Sequence, residues 1–406
     1  MRKDNYELTI RAAFIGYVVQ ATVNNFLPLL FVRMQNEFAV PLSKITLFIT
    51  LNFFIQLVID LCSAPVIDRI GYRASMIISN ACVITGFILL ATLPGKMDPF
   101  AGILIAVCVC AIGGGLQEVL VSPIVEACPT KNKESAMSML HSFYCWGHVA
   151  VVLFSTLFFK FAGIENWRIL SVLWCIIPLT DLVLFTFVPI AGFESASEQA
   201  GTGFGSLFRQ KIFWIMMIMM LCAGASEQAV SQWASAFAEK GLGVSKQMGD
   251  LMGPMLFAIC MGTSRAIYGV RGHRLDLKKF MYASTALCIA AYTVIITVHN
   301  PVITLLGCAL SGFAVGIFWP GTFSMASAGI KGGSTLMFAL LALAGDLGCC
   351  GGPALAGTIM SATGGNMRTG IGAAIVFPIV MGMCLFLFRH SDKETIVSSQ
   401  MEDKKK

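Results

Sequence analysis

GGGLQEVLVSP, residues 113–123, places one carboxylate, Glu118, inside an apolar run that extends over residues 100–125. As a helix, such a run crosses the roughly 30 Å hydrocarbon core of a bilayer. An isolated charge is costly at that depth. Two interpretations are open: Glu118 is either a polar contact that holds helices together beside close-packing glycines, or a substrate or proton site in a water-filled cavity. Its position within the membrane favours the second.

The composition is that of a polytopic membrane protein. Of 406 residues, 56% are hydrophobic and 12% are charged, and the mean hydropathy is +0.78; a soluble domain carries about twice that charged fraction. The 14 cysteines are scattered through apolar runs without the paired spacing of zinc sites, so neither a metal nor a disulfide is expected. The net charge of +6 does not indicate nucleic acid, because the basic residues lie in short loops and at the C-terminus.

The apolar segments predict both the number of helices and their orientation. An even number of spans places both termini on one side, where the connections carry nineteen Lys and Arg residues against eight on the other side. Loops rich in Lys and Arg stay inside, so we predict a multi-pass protein of the plasma (cell) membrane with both termini cytoplasmic. The twelve predicted helices lie at about residues 10–32, 44–67, 74–93, 100–125, 135–159, 168–190, 211–237, 248–270, 279–298, 301–326, 333–360 and 369–389.

A polar connection and a weak internal repeat divide the chain into two halves. The segment GFESASEQAGTGFGS has the composition of a flexible linker. IDRIGYR at 67–73 and YGVRGHR at 268–274 are related by an offset of 201 residues. Two parallel six-helix repeats around a midplane site describe a secondary transporter. We therefore predict an N-terminal bundle, a cytoplasmic linker, a C-terminal bundle and a cytoplasmic tail, at residues 1–190, 191–210, 211–390 and 391–406.

Several motifs resemble the major facilitator superfamily. DRIGYR at 68–73 resembles the superfamily's loop signature between helices 2 and 3. The resemblance implies an all-α membrane protein of twelve transmembrane helices in two pseudo-symmetric six-helix bundles, with a central cavity that helices 1, 4, 7 and 10 line. The chain also resembles the branch that includes the fucose–proton symporter and hexose permeases, at LQE 116–118, LHSFYCWG 140–147, FWPGTFS 318–324 and GDLGCCGGP 345–353. Members of that branch carry an aspartate on helix 1, where this chain has amides.

Polar and aromatic side chains on five predicted helices form the candidate substrate site. Amides offer the donors and acceptors that hydroxyl-rich ligands need, and aromatic rings match the apolar face of a pyranose. Hydrogen bonding between helices is the alternative for the amides, and a place at the membrane interface is the alternative for Trp146. The predicted substrate-binding residues are Gln20, Asn24, Asn25, Gln117, Glu118, His141, Trp146, Glu227, Gln228, Gln232 and Trp319.

The charged residues of the predicted helices supply candidates for coupling and gating. Glu118 and Glu227 are the predicted proton carriers, with Asp60 and Asp346 as further candidates. The offset of 201 pairs Glu118 with Trp319, and Pro320 interrupts that helix because proline has no amide donor. The predicted gating residues are Asp68, Arg69, Arg73, Arg265 and Asp346.

These features predict a secondary active transporter of a small polar solute, a monosaccharide or related sugar, that works by alternating access coupled to protons. A drug or metabolite antiporter is an alternative, although lipophilic cargo would leave the amides unsatisfied. A non-transporting receptor or sensor is another, although the short loops leave no room for a signalling domain. We expect no enzyme activity, no cofactor and no nucleic-acid partner. The expected partners of the monomer are a sugar-like solute, a proton or other cation, and the bilayer.

Overall fold

A computed structural model of the chain describes residues 6–62, 64–129, 133–190, 207–271, 276–330 and 335–388. Every regular element within these ranges is helical. Most of the predicted linker, the whole predicted tail and residues 272–274 of the second repeat motif lie outside the described residues. The domain boundaries therefore stay predictions.

Twelve long helical segments follow one another through the described ranges, and eleven of them are long and apolar enough to cross a membrane. The six of the first bundle precede the six of the second. They are α1 (Tyr6–Phe38), α2 (Leu42–Cys62), α3 (Tyr72–Gly95), α4 (Pro99–Ala127), α5 (Lys133–Ala162), α6 (Ile164–Phe187), α7 (Lys211–Gly241), α8 (Leu256–Arg271), α9 (Leu277–Thr297), α10 (Pro301–Gly329), α11 (Thr335–Ala362) and α12 (Met367–Phe388).

The segment that does not qualify by itself is α8, which has 16 residues. Helical backbone nevertheless continues upstream of it without a break, through Lys246–Asp250 and a wide π turn at Leu251–Met255. Pro254 lies inside that turn. Because proline cannot donate a backbone hydrogen bond, a local change of helix type accommodates it. The whole stretch provides the twelfth helix that the sequence predicts.

The predicted interruption of α10 lies slightly before its proline. Regular α-helix ends at Val315 and begins again at Phe318. Pro320 thus falls in the first turn of the second part, where its missing N–H has no intrahelical partner to lose. The break therefore comes just before Phe318, and Trp319 belongs to the first turn of the second part.

Glycines allow the closest approaches between helices. A Cβ added to Gly113 would lie 2.6 Å from the carbonyl oxygen of Ser79 in α3, and Ser79 Oγ donates to the Gly113 carbonyl at 2.7 Å. In the second bundle, a Cβ on Gly348 of α11 would lie 2.0 Å from the carbonyl oxygen of Leu221 in α7. Only glycine fits at such contacts, which small residues provide in membrane bundles.

Contacts between the two bundles are made by α2 with α11, α5 with α8, and α1 with α7. We call the side on which α1 begins and α12 ends the terminal side, and the opposite side the distal side. Gly357 of α11 packs on Thr46 near the distal end of α2. Nearer the middle, Cys350 Sγ lies 3.5 Å from the Thr50 carbonyl oxygen. These contacts therefore extend from the distal side toward the centre.

Candidate central substrate and cation site

The helix 1 amide Asn24 is the centre of a hydrogen-bond network that joins both bundles. Asn52 and Gln56 of α2 donate to Asn24 Oδ1 at 3.1 and 2.9 Å. Gln232 of α7 donates to the Asn24 backbone carbonyl at 3.2 Å. All four residues are buried. The amides of α2 thus face α1, and one amide of the second bundle reaches across to it.

Three carboxyl groups meet beside this network. Asp60 of α2, Glu118 of α4 and Asp346 of α11 have carboxylate oxygens within 4.8 Å of one another. Asp60 and Asp346 thus bring an acid of α2 next to an acid of α11. Gln20 Nε2 donates to Glu118 Oε2 at 2.6 Å. Both bundles therefore contribute acids to one centre, and Gln20 of α1 borders it.

A fourth acid, Glu227 of α7, has a basic partner. Arg265 Nη2 of α8 lies 3.4 Å from Glu227 Oε2. Gln228 Nε2 donates to Glu227 Oε1 at 3.2 Å, and Gln232 Nε2 donates to Gln228 Oε1 at 3.1 Å. This chain of side chains connects Arg265 to the Asn24 network, so the predicted residues of α7 form one continuous polar row.

Aromatic side chains of α1 and α5 lie against the same region. The ring of Tyr17 lies 5.5 Å from that of His141 and 6.4 Å from that of Tyr144, centroid to centroid. Tyr144 Oη lies 3.5 Å from Asn24 Nδ2. The Asn25 side chain donates to the Ala21 carbonyl of its own helix at 2.9 Å. Tyr17 was not among the predicted site residues. Its position three residues before Gln20, on the same helix face, is the signal that points to it.

Trp319 of α10 packs against α11. A Cβ added to Gly345 would lie 2.3 Å from the Trp319 ring, and Gly345 directly precedes Asp346. Trp319 is partly buried and its ring lies 6.3 Å from that of Phe323. Trp319, which the repeat offset pairs with Glu118, thus contacts α11 one residue before Asp346.

Two of the predicted substrate residues lie elsewhere. Gln117 Nε2 donates to Asn80 Oδ1 at 3.0 Å and to Asp181 Oδ2 at 3.4 Å, in a buried network inside the first bundle. Trp146 is 51% exposed and shares its helix face with Phe154, which is 58% exposed. That apolar face is the one that a bilayer covers.

The predicted gating residues take different places. Arg73 at the start of α3 donates to the carbonyls of Phe185 and Val188 at the end of α6, both at 2.7 Å. Arg69 is exposed, and the side chain of Asp68 lies outside the described residues. Arg265 and Asp346 belong to the central site. Arg73 therefore fastens two helices of one bundle to each other.

Polar contacts also join the bundles at the distal side. None of their residues was among the predicted site residues. Asp250 is fully buried and accepts hydrogen bonds at Oδ1 from Ser235 and Lys246, at 2.5 and 2.7 Å. Thr156 of α5 lies 3.5 Å from Asp250 Oδ2. We call these four residues the distal cluster. Because Thr156 belongs to the first bundle and the others to the second, the distal cluster spans the seam between the bundles.

Comparison with known proteins identifies the family. The sequence profile of the Major Facilitator Superfamily matches residues 13–353. The chain belongs to the major facilitator superfamily. No curated protein sequence matches the chain at a significant level. As a member of this superfamily, the protein is a multi-pass integral membrane transporter of a small solute and not an enzyme.

Solved structures of other superfamily transporters share the fold. The E. coli fucose:proton symporter FucP is 15% identical with a TM-score of 0.65, and the match covers 94% of this chain and 99% of that one. A D-xylose-proton symporter is 13% identical with a TM-score of 0.75, covering 94% and 96%. A bacterial homologue of the human lysosomal transporter Spinster, inward-facing and occupied, is 16% identical with a TM-score of 0.73, again covering 94% and 96%. At these identities the similarity establishes the fold alone.

Proposed function

We propose that this transporter carries a monosaccharide or a related sugar by alternating access, coupled to protons. The observation that carries the proposal is that acids, amides and aromatic rings from both bundles meet at one centre. Asp60 and Glu118 come from the first bundle and Asp346 from the second, with their carboxylates within 4.8 Å. A solute that binds at such a centre contacts both bundles, as alternating access requires.

The amides support a hydroxyl-rich solute. Gln20, Asn24, Gln228 and Gln232 are each at most 4% exposed, and each amide offers both donors and acceptors. A lipophilic solute would leave such groups without partners, which is costly in a buried site. The rings of Tyr17, Tyr144 and Trp319 provide apolar surface beside them. The two structural relatives whose names give a sugar, fucose and xylose, are proton symporters.

The arrangement of charges supports proton coupling. The carboxyl groups of Asp60 and Asp346 lie so close together that the repulsion of two charges favours a proton on one of this pair. Glu118 lies next to this pair, whereas Glu227 is neutralised by Arg265. A proton that enters this centre therefore has three acceptors, contributed by both bundles. We propose Glu118 as the principal carrier, because it is partly exposed and faces the sugar-binding amide Gln20.

We further propose that the terminal side faces the cytoplasm of a cell whose plasma membrane holds the protein as a monomer. The excess of Lys and Arg in the connections on that side supports this orientation. The seam between the bundles is joined at the distal side by Thr156 with Asp250 and by Lys240 with Gln35. His141, in the terminal half of α5, is exposed. In this orientation the structure is the inward-facing state.

The test is uptake into proteoliposomes. Purified protein is first screened against monosaccharides by thermal shift, because a ligand that binds only the folded state raises its apparent stability. Uptake of the best binder is then measured with and without an inward proton gradient. We expect the gradient to drive accumulation, and Glu118→Gln to abolish it while exchange of sugar is retained. Glu126→Gln, an exposed position on the same helix, is the matched control; accumulation that survives Glu118→Gln would contradict the assignment of the carrier.

A further inference from the structure

We propose that Asp60, Glu118, Asp346 and the side-chain oxygen of Gln20 form a sodium site, at which Na⁺ replaces a proton. The inference rests on the proposed function only in taking this centre as the place of coupling. It adds a second coupling ion, and with it a ligand that can be tested on the purified protein without any sugar.

The geometry fits one hard cation. Such ions are bound by oxygen ligands at about 2.3–2.6 Å, so oxygens around a single ion lie within about 5 Å of one another. The oxygens of Asp60, Glu118 and Asp346 meet this condition, at 4.8 Å or less. The donor set holds carboxylate and amide oxygens and no thiol or imidazole, which suits Na⁺ and excludes a preference for soft metals.

Two buried oxygens beside the acids have no hydrogen-bond partner. One is Oε1 of Gln20, a side chain that is 3% exposed; the other is Oδ1 of Asp60. The Gln20 carboxamide borders the acids, since its nitrogen lies 2.6 Å from Glu118 Oε2. Buried polar atoms are nearly always satisfied, and an exception needs an explanation. A proton satisfies one acceptor at a time, whereas a cation among these groups attracts all of these oxygens together.

The charges point to a monovalent ion. In the described part of the chain, no Lys or Arg forms an ion pair with Asp60, Glu118 or Asp346; Arg265 pairs with Glu227 instead. Uncompensated charges buried in low dielectric are expensive. Na⁺ that takes the place of one proton on these acids leaves the net charge of the centre unchanged. A divalent ion would change it.

The location makes ion binding relevant to transport. Asp60 and Glu118 belong to the first bundle and Asp346 to the second, so a bound ion holds α11 against α2 and α4. Gln20 donates to Glu118 at this centre. Asn24, at the centre of the amide network, lies four residues further along the same helix. An ion at the triad therefore orders the helix 1 face that the sugar would contact, and the two ligands should bind cooperatively.

The decisive experiment is thermal unfolding of the full-length protein in detergent, with NaCl replacing choline chloride at constant ionic strength. We expect Na⁺ to raise the Tm by several degrees while K⁺ does not. Asp60→Asn, Asp346→Asn and Gln20→Leu should each weaken the apparent Na⁺ affinity by about tenfold or more, whereas Glu126→Gln should leave it unchanged. Lowering the pH by one unit should weaken Na⁺ binding by up to about tenfold, because one proton competes with one ion.

Several results would overturn the sodium site. These are a Tm that responds to Na⁺ no more than to choline or K⁺, stabilisation by Ca²⁺ without stabilisation by Na⁺, and a Na⁺ response that Asp60→Asn and Asp346→Asn leave intact. The Tm of the wild-type protein in Na⁺, K⁺ and choline tests the sodium site even if a variant does not fold. Sugar binding is measured by calorimetry on the same samples: sugar binding without a Na⁺ response refutes this inference alone, and a Na⁺ response without any sugar binding refutes the proposed substrate alone.

Discussion

Arg265 of α8 donates through Nη1 to Cys145 Sγ of α5 at 3.4 Å, and so joins the second bundle to the first at the level of the central site. The same guanidinium pairs with Glu227 through Nη2 and donates through Nε to the Gly316 carbonyl in α10. One side chain thus contacts three other helices. Its contacts follow from its five donors, which point in fixed directions.

Replacing Arg265 should destabilise the protein through Glu227. We expect Arg265→Gln to lower the free energy of unfolding by about 3–5 kcal/mol, because removing one partner of a buried pair leaves the other uncompensated. The double variant Arg265→Gln with Glu227→Gln should recover much of that loss. Thermal unfolding of both variants checks this. Equal stability of the single and double variants would show that the pair is not coupled.

Cys145 should report the separation of the bundles. It is 1% exposed and lies against Gly262 and Arg265. In a background where the other cysteines are replaced, we expect a maleimide to label Cys145 slowly in the state described here, and at least about tenfold faster once the distal seam opens. Labelling rates measured with and without the transported solute check this. Cys82, which lies within the first bundle, provides the control cysteine, and its rate should not change.

Trp319 should contribute directly to sugar affinity. We expect Trp319→Ala to weaken binding by about tenfold or more, because the ring offers apolar surface beside Asp346. Trp319→Phe should retain part of the affinity while keeping the packing on Gly345. Isothermal titration calorimetry gives both constants. Trp214→Ala, at a position that is 47% exposed, is the control; unchanged affinity in Trp319→Ala would remove the ring from the site.

The distal cluster should keep the distal side of the protein closed. Asp250→Asn weakens the contacts of Asp250 with Lys246, Ser235 and Thr156, so we expect the population to shift toward the state that is open on the distal side. Distance measurement between spin labels on the distal ends of α1 and α7 checks this. Asp276→Asn, which is exposed at the start of α9, should leave the distances unchanged.

Gln117 should matter for stability and not for transport. Gln117→Leu removes donors from Asp181 and Asn80, and a buried group left unsatisfied costs about 1–3 kcal/mol. We therefore expect a lower Tm with unchanged sugar affinity. Thermal unfolding measures the Tm, and calorimetry measures the sugar affinity of the same variant. A loss of affinity at full stability would return Gln117 to the substrate site.

The twelve-helix fold was predictable because apolar runs of sufficient length have one stable form in a bilayer. The short α8 shows the limit of this rule, since the helix type changes around Pro254, just upstream of α8, and separates it from the helical residues Lys246–Asp250. Spacing along a helix also places Gln228 and Gln232, four residues apart, on one face of α7, where they are hydrogen-bonded. Such arguments depend on the period of the helix alone.

The rest of the site could not be predicted from spacing along a helix, because it depends on how the helices pack against one another. Gln117 and Glu118 are adjacent in sequence, so their side chains point about 100° apart, and only one of them reaches the centre. Cys145 and Trp146 separate in the same way, one toward α8 and the other toward the exposed face. The pairing of Asp60 with Asp346 depends on which helices meet, and no pattern within α2 or α11 contains that information.

Arg73 at the start of α3 ties down the end of α6 on the terminal side, and Arg368 at the start of α12 bonds to the carbonyls of Ile295 and Val298 at the end of α9 on the distal side. Each clamp joins two helices of the same bundle and leaves the seam between bundles untouched. Among the described residues, a movement of one bundle against the other therefore breaks neither clamp, and the helix pairs that they join would travel together.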